Sequence, residues 1–284
     1  DYASGTDPFR SNLSGKIVLD GKRVKIMQAS TEGLGLGVTP IGPTWQAQYF
    51  LGAAAQGRDV AARLLYGGRN SLLIAGASTL ITLVLAAVVG ISAGFFGGAT
   101  DMVLSRILDI LGAFPVDLLA ISLSIVLLSQ GIIIGPIEIT SGSLLLPIAI
   151  IGIIYVPYIA RPVRGHVLTL KESEFVLAAR GLGIPGWRIL FKDILPNVTT
   201  TLIVYIPLMM ALNIVTESAL SFLSIGVQAP DASWGTIIQD GQTLLYSRPV
   251  VALAPGLAIV LTVLSLNVLG DSVRDALDPR TKLR

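Results

Sequence analysis

The chain has 284 residues, of which 52% are hydrophobic and 13% are charged, and its mean hydropathy is +0.75. This composition excludes an ordinary soluble domain and is typical of a protein whose solvent is the lipid bilayer. The 20 basic and 18 acidic residues nearly balance, which gives no field that would favour nucleic acid, and the absence of cysteine excludes disulfides, thiolate metal sites and cysteine nucleophiles.

The first element in chain order is a polar segment, residues 1–70. Within residues 17–26, two β-branched runs flank an Asp-Gly dipeptide, a pattern that predicts a β-hairpin. The alternating glycines of residues 31–37 lack the following helix of a phosphate-binding loop and predict an ordinary loop. Residues 59–66 have helical spacing and predict an interfacial helix that leads into the first membrane span. Residues 1–70 therefore form a small segment ahead of a transmembrane domain, residues 71–284.

Five apolar runs are near or above the ~20 residues that a helix needs to cross a bilayer. These runs are residues 72–96, 102–128, 144–159, 198–225 and 250–269. In the first run, Ala86, Gly90 and Gly94 fall four apart on one helical face, the small-residue spacing that lets another helix approach closely. The sequence therefore predicts an all-α integral membrane protein whose first span packs inside a bundle.

The distribution of basic residues predicts the orientation of these spans. Residues 161–192, between the third and fourth runs, carry six Lys or Arg residues, whereas the loop after the second run has none. By the positive-inside rule, the basic loop is cytoplasmic, and so is the C-terminal tail two spans later. Counting back three spans places residues 1–70 outside the cell. A cytoplasmic N-terminus would need a sixth helix ahead of Asp1, and we expect one.

A charged stretch within the predicted cytoplasmic loop, residues 161–196, interrupts the apolar pattern. It predicts a short helix that ends near Gly183 and a second helix that begins at Pro185 and ends by Pro196. The two helices would form a helix-turn-helix on the cytoplasmic face. A simple surface loop is the alternative interpretation of the same composition.

This stretch resembles the EAA loop of ABC importer permeases, a pattern of Glu-Ala-Ala, three residues, Gly, nine residues and Ile-x-Leu-Pro. The matching positions are Ala178, Ala179, Gly183, Leu195 and Pro196. Leu177 stands where the pattern has glutamate, and Asp193 stands where it has isoleucine. Glu174 lies one helical turn before position 177 and on the same face, so it offers a carboxylate close to the place of the missing one.

More widely, the chain resembles the second permease subunit of the dipeptide, oligopeptide and nickel importer family from about residue 49 onward. The segments that carry this resemblance are residues 57–60, 63–67, 109–119, 157–165, 217–228, 233–235 and 269–280. The resemblance implies the transmembrane domain of a type I ABC importer in the inner membrane. It also implies a second permease subunit, two ATPase subunits that bind ATP and magnesium, and an extracytoplasmic substrate-binding protein as partners.

The resemblance further implies which residues couple the chain to the ATPase subunits. They are Glu174, Ala178, Ala179, Arg180, Gly183, Leu195 and Pro196. Small alanines allow a helix to seat closely in a cleft, and a glycine allows a sharp turn. The chain has no Gly-x-x-x-x-Gly-Lys-Ser/Thr loop, so we expect it not to hydrolyse ATP. We expect no catalytic residue, cofactor or metal site within it.

Polar residues inside the apolar runs are the candidates for the translocation path or the subunit interface, because an ionisable group is costly in the membrane. They are Asp117, Asn213, Glu217, Ser218 and Ser221. For Glu217 two interpretations stay open: it faces the path or the interface, or it is a structural charge near the outer membrane boundary.

Other polar and aromatic residues have structural interpretations. Arg106 and Asp109 are three apart on a helix and are expected to neutralise each other. His166, the single histidine, lacks nearby partners for a metal site or a catalytic triad and is expected to be solvated or at an interface. The tryptophans lie outside the apolar runs, as interfacial anchors do; they are Trp45, Trp187 and Trp234.

Three classes of function are compatible with this hydropathy. The resemblance favours a permease that imports peptides, with nickel complexes or oligosaccharides as alternatives in the same family. A channel or secondary transporter without ATPase partners would show internal repeats with broken helices in matching places, and none is visible. An intramembrane hydrolase would need a nucleophile and a base together within the membrane helices, and His166 lies outside them. The loop around Ala178 distinguishes the permease from the other two classes, because neither of them needs a coupling loop.

Overall fold

The computed structural model describes residues 16–19, 22–25, 27–29, 38–40, 49–54, 58–130, 132–134, 137–139 and 143–277. The turn of the predicted hairpin, the glycine-rich loop of residues 31–37, Trp45 and the basic end of the C-terminal tail lie outside these residues.

Ahead of the first helix, four short strands form two antiparallel pairs. β1 (Lys16–Leu19) pairs with β2 (Lys22–Lys25), and two residues separate them, which is the pairing of the predicted hairpin. β3 (Met27–Ala29) pairs with β4 (Val38–Pro40), a second pair that the sequence pattern did not indicate.

The first span is longer than predicted. α1 (Val60–Phe96) runs without a break, so the helix predicted at residues 59–66 is present and is the first part of the same helix as the span. These residues contain no proline and many strong helix formers, and nothing stops the helix between the two predicted elements. The helix ends at Gly97 and Gly98, whose φ values of 67° and 54° are favourable only for glycine.

The second predicted span is not one helix. α2 (Gly98–Gly112) and α3 (Val116–Gln130) meet at an angle of 87°. The cause is Pro115, which lacks an N–H, clashes with the carbonyl one turn earlier and disfavours helical backbone at Phe114. The single helix predicted over residues 102–128 is therefore wrong, because two helices cover these residues.

The third span is bent and extends past its predicted end. A short antiparallel pair, β5 (Ile132–Ile134) and β6 (Ile137–Ile139), precedes it. α4 (Leu145–Ile154) and α5 (Val156–Lys171) then meet at 42°, where Pro157 removes an intrahelical donor.

Three turns of α5 therefore lie beyond Ile159, the predicted end of the span. They occupy the first part of the segment expected to be a cytoplasmic loop, so this segment begins as helix.

The predicted helix-turn-helix has a different second helix. α6 (Glu174–Gly181) is followed by α7 (Gly186–Ile189), a π-helical turn over Leu190–Ile194, and α8 (Leu195–Phe222). These last three elements form one continuous helix, Gly186–Phe222, so the end predicted at Pro196 is wrong. The π turn lets the helix continue past Pro196. In this turn the Leu195 N–H, directly before the proline, donates to the carbonyl of Leu190, five residues earlier.

Two further helices complete the described chain. α9 (Trp234–Gln242) begins with a capping box between Ser233 and Thr236, and α10 (Val250–Leu277) is the last. Three helices in the described residues are long and apolar enough to cross a membrane, namely α1, Gly186–Phe222 and α10. Each bent pair adds one more when it is taken as a single span, which gives the five that the sequence predicts.

By contacts, the chain divides into two compact units. One comprises the described residues within Asp1–Leu72 together with Ser218–Leu261, and the other comprises Leu73–Glu217 with Thr262–Arg284. The first unit therefore draws on more of the chain than the predicted segment of residues 1–70. Its core includes Ala54, Val60, Leu244 and Val251.

Trp234 is a core residue of the first unit, and the prediction that it anchors the protein at the membrane interface is wrong. Its side chain is 6% exposed, and its indole Nε1 donates to the Leu64 carbonyl at 3.0 Å. Its backbone N–H donates to Ser71 Oγ at 3.1 Å. Gly68 makes room for the ring, because a Cβ at that position would lie 2.9 Å from it. α9 is thus held against the start of α1.

Within the second unit, α1 and α5 approach closely through glycines. A Cβ on Gly90 would lie 2.6 Å from the Ala160 carbonyl oxygen, and a Cβ on Gly94 would lie 2.8 Å from Val167. Side chains cannot fit at such distances, so the two backbones are in direct contact. Ala86 on the same stripe is fully buried. The predicted packing face of the first span is confirmed.

Candidate coupling site

The short helix α6 is joined to the end of α5 by a rigid two-residue link. Glu172 and Ser173 donate their backbone N–H groups to the last carbonyls of α5, and Ser173 Oγ donates to the Leu170 carbonyl. Ser173 then adopts an extended conformation, and its own carbonyl accepts from the Leu177 N–H in the first turn of α6. The link therefore fixes the direction in which α6 leaves α5.

The end of α6 is a Schellman motif centred on Gly183. The Ile184 N–H donates to the Ala179 carbonyl at 3.1 Å, and the Gly183 N–H donates to the Arg180 carbonyl at 2.9 Å. Gly183 has a φ of +75°, which a residue with a Cβ adopts only with strain. The glycine of the coupling pattern is thus required by the backbone of the turn between α6 and α7.

The surface of α6 is divided between a buried and an exposed face. Val176 and Ala179 are buried, and α6 packs against α5 and α7. Glu174, Ala178 and Arg180 are exposed. Of the two alanines of the coupling pattern, Ala179 therefore holds the helix on the permease, whereas Ala178 is available to a partner.

The remaining predicted coupling residues lie apart from the turn. Leu195 and Pro196 are in the first turn of α8, where Leu195 is half-buried and Pro196 is exposed. Thr199 and Thr200 donate their hydroxyl groups to the carbonyls of these two residues. Their place in the structure is the join between the π turn and α8, not the end of a helix.

Apolar side chains that project from the turn were missed by the sequence pattern. Leu182 at the apex is 80% exposed, and Phe175 and Leu177 on α6 are about half exposed. Trp187 and Phe191, on the helix that follows, are exposed as well. We call these five residues the apolar crest. The signal in the sequence is the presence of large apolar residues at the centre of an otherwise charged stretch.

The polar candidates on α8 are buried. Glu217 and Asn213 are fully buried, and the Asn213 amide donates to Thr79 Oγ1 at 2.9 Å and to the Ala75 carbonyl at 3.4 Å. Ser221 Oγ accepts from the Val227 N–H at 3.0 Å. Asn213 therefore ties α8 to α1, and Ser221 caps the loop that follows α8.

α9 packs closely against Ser218 at Gly235, where a Cβ would clash with the Ser218 carbonyl oxygen. Asp117, in the first turn of α3, is exposed. It is the one member of the predicted group, Asp117, Asn213, Glu217, Ser218 and Ser221, that reaches the surface of the chain.

Asp109 and His166, the other ionisable residues considered from the sequence, form contacts within the chain. Asp109 lies 3.9 Å from Arg106, as predicted, but its nearer partner is Arg161 at 3.3 Å. The His166 ring nitrogen Nδ1 lies 2.9 Å from Thr201 Oγ1. Among the residues that the structure describes, no group of three or more His, Cys, Asp or Glu side chains could hold a metal ion.

Comparison with known proteins identifies the family. Residues 86–283 match the model of the binding-protein-dependent transport system inner membrane component. The chain is 36% identical over 234 residues to the glutathione transport system permease protein GsiD of Pectobacterium atrosepticum, an overlap of 82% of this chain and 73% of that protein. It is 39% identical over 236 residues to the dipeptide transport system permease protein DppC of Alkalihalophilus pseudofirmus, with overlaps of 83% and 73%. It is 39% identical over 240 residues to the oligopeptide transport system permease protein OppC of Haemophilus influenzae, with overlaps of 84% and 73%.

Solved structures show the same fold. A chain of the MetNI methionine ABC transporter in an inward-facing conformation has a TM-score of 0.61 at 19% identity, over 77% of this chain and 97% of that one. A chain of an amino acid ABC transporter has a TM-score of 0.57 at 12% identity, over 74% and 92%. The fold is that of a type I ABC importer transmembrane domain. The chain belongs to the inner membrane components of binding-protein-dependent transport systems, as a multi-pass ABC importer permease.

Proposed function

We propose that the chain is the second permease subunit of an ATP-driven peptide importer. It forms half of a translocation pathway and pairs with another permease subunit. The proposed substrates are di- or oligopeptides, because the similar permeases named above serve glutathione, dipeptides and oligopeptides. Nickel complexes and oligosaccharides are the alternatives within the same family.

The observation that carries this proposal is the apolar crest at the turn between α6 and α7. Large apolar side chains at a solvated turn are unfavourable unless a partner covers them. The crest stands on a short, rigidly linked helix beside the exposed Ala178, at the place where the family pattern has its coupling loop. Its proposed partner is a cleft in an ATPase subunit, which binds ATP and magnesium.

The proposed topology follows the basic residues. The coupling segment and the C-terminus face the cytoplasm, and residues 1–70 face the other side of the inner membrane. Asp117 is the proposed pore-facing residue, because it is exposed at the break between α2 and α3, whereas Glu217 is buried within the chain and is proposed to be structural.

The test uses Leu182→Asp. Leu182 is 80% exposed, so the substitution is expected to leave the fold intact while it places a charge at the centre of the proposed contact. We expect recovery of the ATPase subunits with the purified permease to fall about tenfold or more.

The matched control is Tyr246→Asp, a charge at a fully exposed aromatic residue outside the crest, which is expected to leave ATPase recovery unchanged. Full recovery of the ATPase subunits with Leu182→Asp would contradict the proposed contact.

Residues 1–70 are proposed to help dock the substrate-binding protein, because the positive-inside rule places them outside the membrane. Removal of residues 14–37 deletes β1, β2 and β3 without touching α1. We expect weaker binding of the binding protein, measured on the purified complex, with an unchanged rate of ATP hydrolysis in its absence. Unchanged affinity and uptake would show that this segment has another role.

A further inference from the structure

Helix α5 carries three basic side chains on one face, and each of them contacts α1 or α2. Arg161, Arg164 and Lys171 are three and seven residues apart, which places them within one side of the helix. Arg161 donates to the Leu108 carbonyl at 3.0 Å and lies 3.3 Å from Asp109, both on α2. The helix that leads directly into α6 is therefore attached to its neighbours by charge as well as by packing.

The strongest of these contacts joins Arg164 to Asp101 in the first turn of α2. The Arg164 Nε donates to Asp101 Oδ1 at 2.5 Å, and its Nη2 donates to Asp101 Oδ2 at 2.7 Å. Ser105 Oγ also donates to the same carboxylate at 3.0 Å. A bidentate pair fixes the relative orientation of its two groups, which a single point charge does not. Both side chains are largely shielded from solvent, at 33% and 23% exposure.

Lys171 holds the other side of the same junction. Its Nζ donates to the carbonyls of Gly94 and Phe95, at 3.1 Å and 2.9 Å, in the last turn of α1. These carbonyls are at the negative end of the helix dipole, where a cation is favourable. Lys171 is also the last residue of α5, and only Glu172 and Ser173 separate it from the start of α6 at Glu174.

The junction between α1 and α2 is thus attached to the base of α6 from both sides. The junction consists of two glycines, Gly97 and Gly98, and it would be pliable without these contacts. The direct backbone contact of α1 with α5 at Gly90 and Gly94 opposes sliding of one helix past the other.

We propose that Arg164 and Lys171 are positioning residues for energy coupling: they transmit movement of α6 to the junction between α1 and α2. The proposal rests on the proposed function, in which α6 docks on an ATPase subunit. Without the two contacts, α6 would still bind the ATPase. Its movement would no longer be transmitted to α1 and α2, because the junction of Gly97 and Gly98 is pliable.

The test is made on the complete importer, reconstituted in liposomes with its binding protein and supplied with a labelled mixture of dipeptides and oligopeptides. The measured quantity is the number of ATP molecules hydrolysed per peptide taken up. We expect Arg164→Gln and Lys171→Met each to raise this ratio about fivefold or more. Recovery of the ATPase subunits with the permease is expected to stay at the wild-type level, which a purely structural defect would not preserve.

Charge reversal provides the second arm. Asp101→Arg and Arg164→Asp place like charges together and are each expected to uncouple transport, whereas the double variant restores the pair and is expected to return the ratio to within about twofold of wild type. The matched control is Arg106→Gln, because Arg106 is 78% exposed and its contact with Asp109 is long, at 3.9 Å. This control is expected to leave the ratio unchanged.

The outcomes separate the inference from the proposed function. If the wild-type complex shows no ATP-driven uptake of any peptide, the proposed function fails. If the wild type transports peptide but Arg164→Gln and Lys171→Met hydrolyse the same amount of ATP per peptide, the positioning role is overturned. It is also overturned if the reversed pair remains as uncoupled as its two single variants.

Discussion

Gly90→Ala is expected to destabilise the permease, whereas Gly76→Ala in the same helix is not. A Cβ at position 90 would lie 2.6 Å from the Ala160 carbonyl oxygen, and backbone cannot move aside as a flexible side chain can. A Cβ at position 76 would meet nothing within 4 Å. We expect Gly90→Ala to lower the free energy of unfolding by about 2 kcal/mol. The measurement is the thermal unfolding temperature of both variants in detergent.

Gly76→Ala serves as the matched control because it has the same chemistry and the same helix. Alanine is favoured over glycine in a helix by about 0.5–1 kcal/mol, so this variant is expected to unfold at the wild-type temperature or slightly above it. Larger residues at position 90 are expected to be worse than alanine, in order of side-chain volume. Equal unfolding temperatures for the two alanine variants would show that α1 and α5 separate readily, contrary to the close contact.

Substitution of Gly183 is expected to reduce uptake, and the loss is expected to increase with the strain that the new residue suffers at positive φ. An L-residue in this conformation costs about 1–2 kcal/mol, and a β-branched residue costs more. Gly183→Val is therefore expected to misplace the apolar crest and to stop transport, and Gly183→Ala to reduce it. Gly183→Asn is expected to retain most of it, because asparagine tolerates this conformation. Uptake and ATP hydrolysis by the reconstituted importer are the measurements.

The control for this series is Gly181→Ala. Gly181 is the last residue of α6, and a Cβ there would meet nothing within 4 Å. Because its φ is not in the positive range that favours glycine, alanine is expected to be harmless. ATP hydrolysis is expected to persist in Gly183→Val, since the proposed function assigns ATP hydrolysis to a partner subunit. Normal uptake by Gly183→Val would mean that the shape of the turn is unimportant for coupling.

Much of the fold could be predicted because the bilayer imposes simple rules. The long apolar runs located the three membrane-length helices and the two bent helix pairs, and the spacing of Ala86, Gly90 and Gly94 indicated the packing face of α1. The helix boundaries could not be predicted equally well. Hydropathy indicates which residues are stable in the membrane, but it does not indicate where a helix begins or ends. α1 and α5 both continue as helix well beyond their apolar parts.

The effect of each proline on its helix was also difficult to predict. Pro115 breaks the second span by 87°, whereas Pro207 and Pro255 lie inside α8 and α10 without ending them. Whether a proline breaks a helix depends on whether neighbouring groups replace the missing hydrogen bond, which a single sequence does not reveal. Pro196 was expected to end a helix, and the π turn before it carries the helix past that position.

The candidate coupling site was predictable where backbone geometry demands a residue type. Gly183 is required by its positive φ, and the sequence indicated the turn at that position. The apolar crest was not predictable from the pattern, because the exposure of Leu182 depends on how α6 packs. Trp234 shows the reverse error: it lies outside the apolar runs and yet is a core residue of its unit.

The unbroken helix Gly186–Phe222 has a consequence for protein engineering. At 1.5 Å per residue, the helix from Trp187 to Glu217 is about 45 Å long. The π turn is its only irregularity among these residues. An exchange of residues 161–196 between two permeases would therefore cut through this helix and through α5. Chimaeras that are spliced at residues 172 and 185, where the chain leaves one helix and enters the next, keep both helices whole and exchange α6 with its turn as a single cassette.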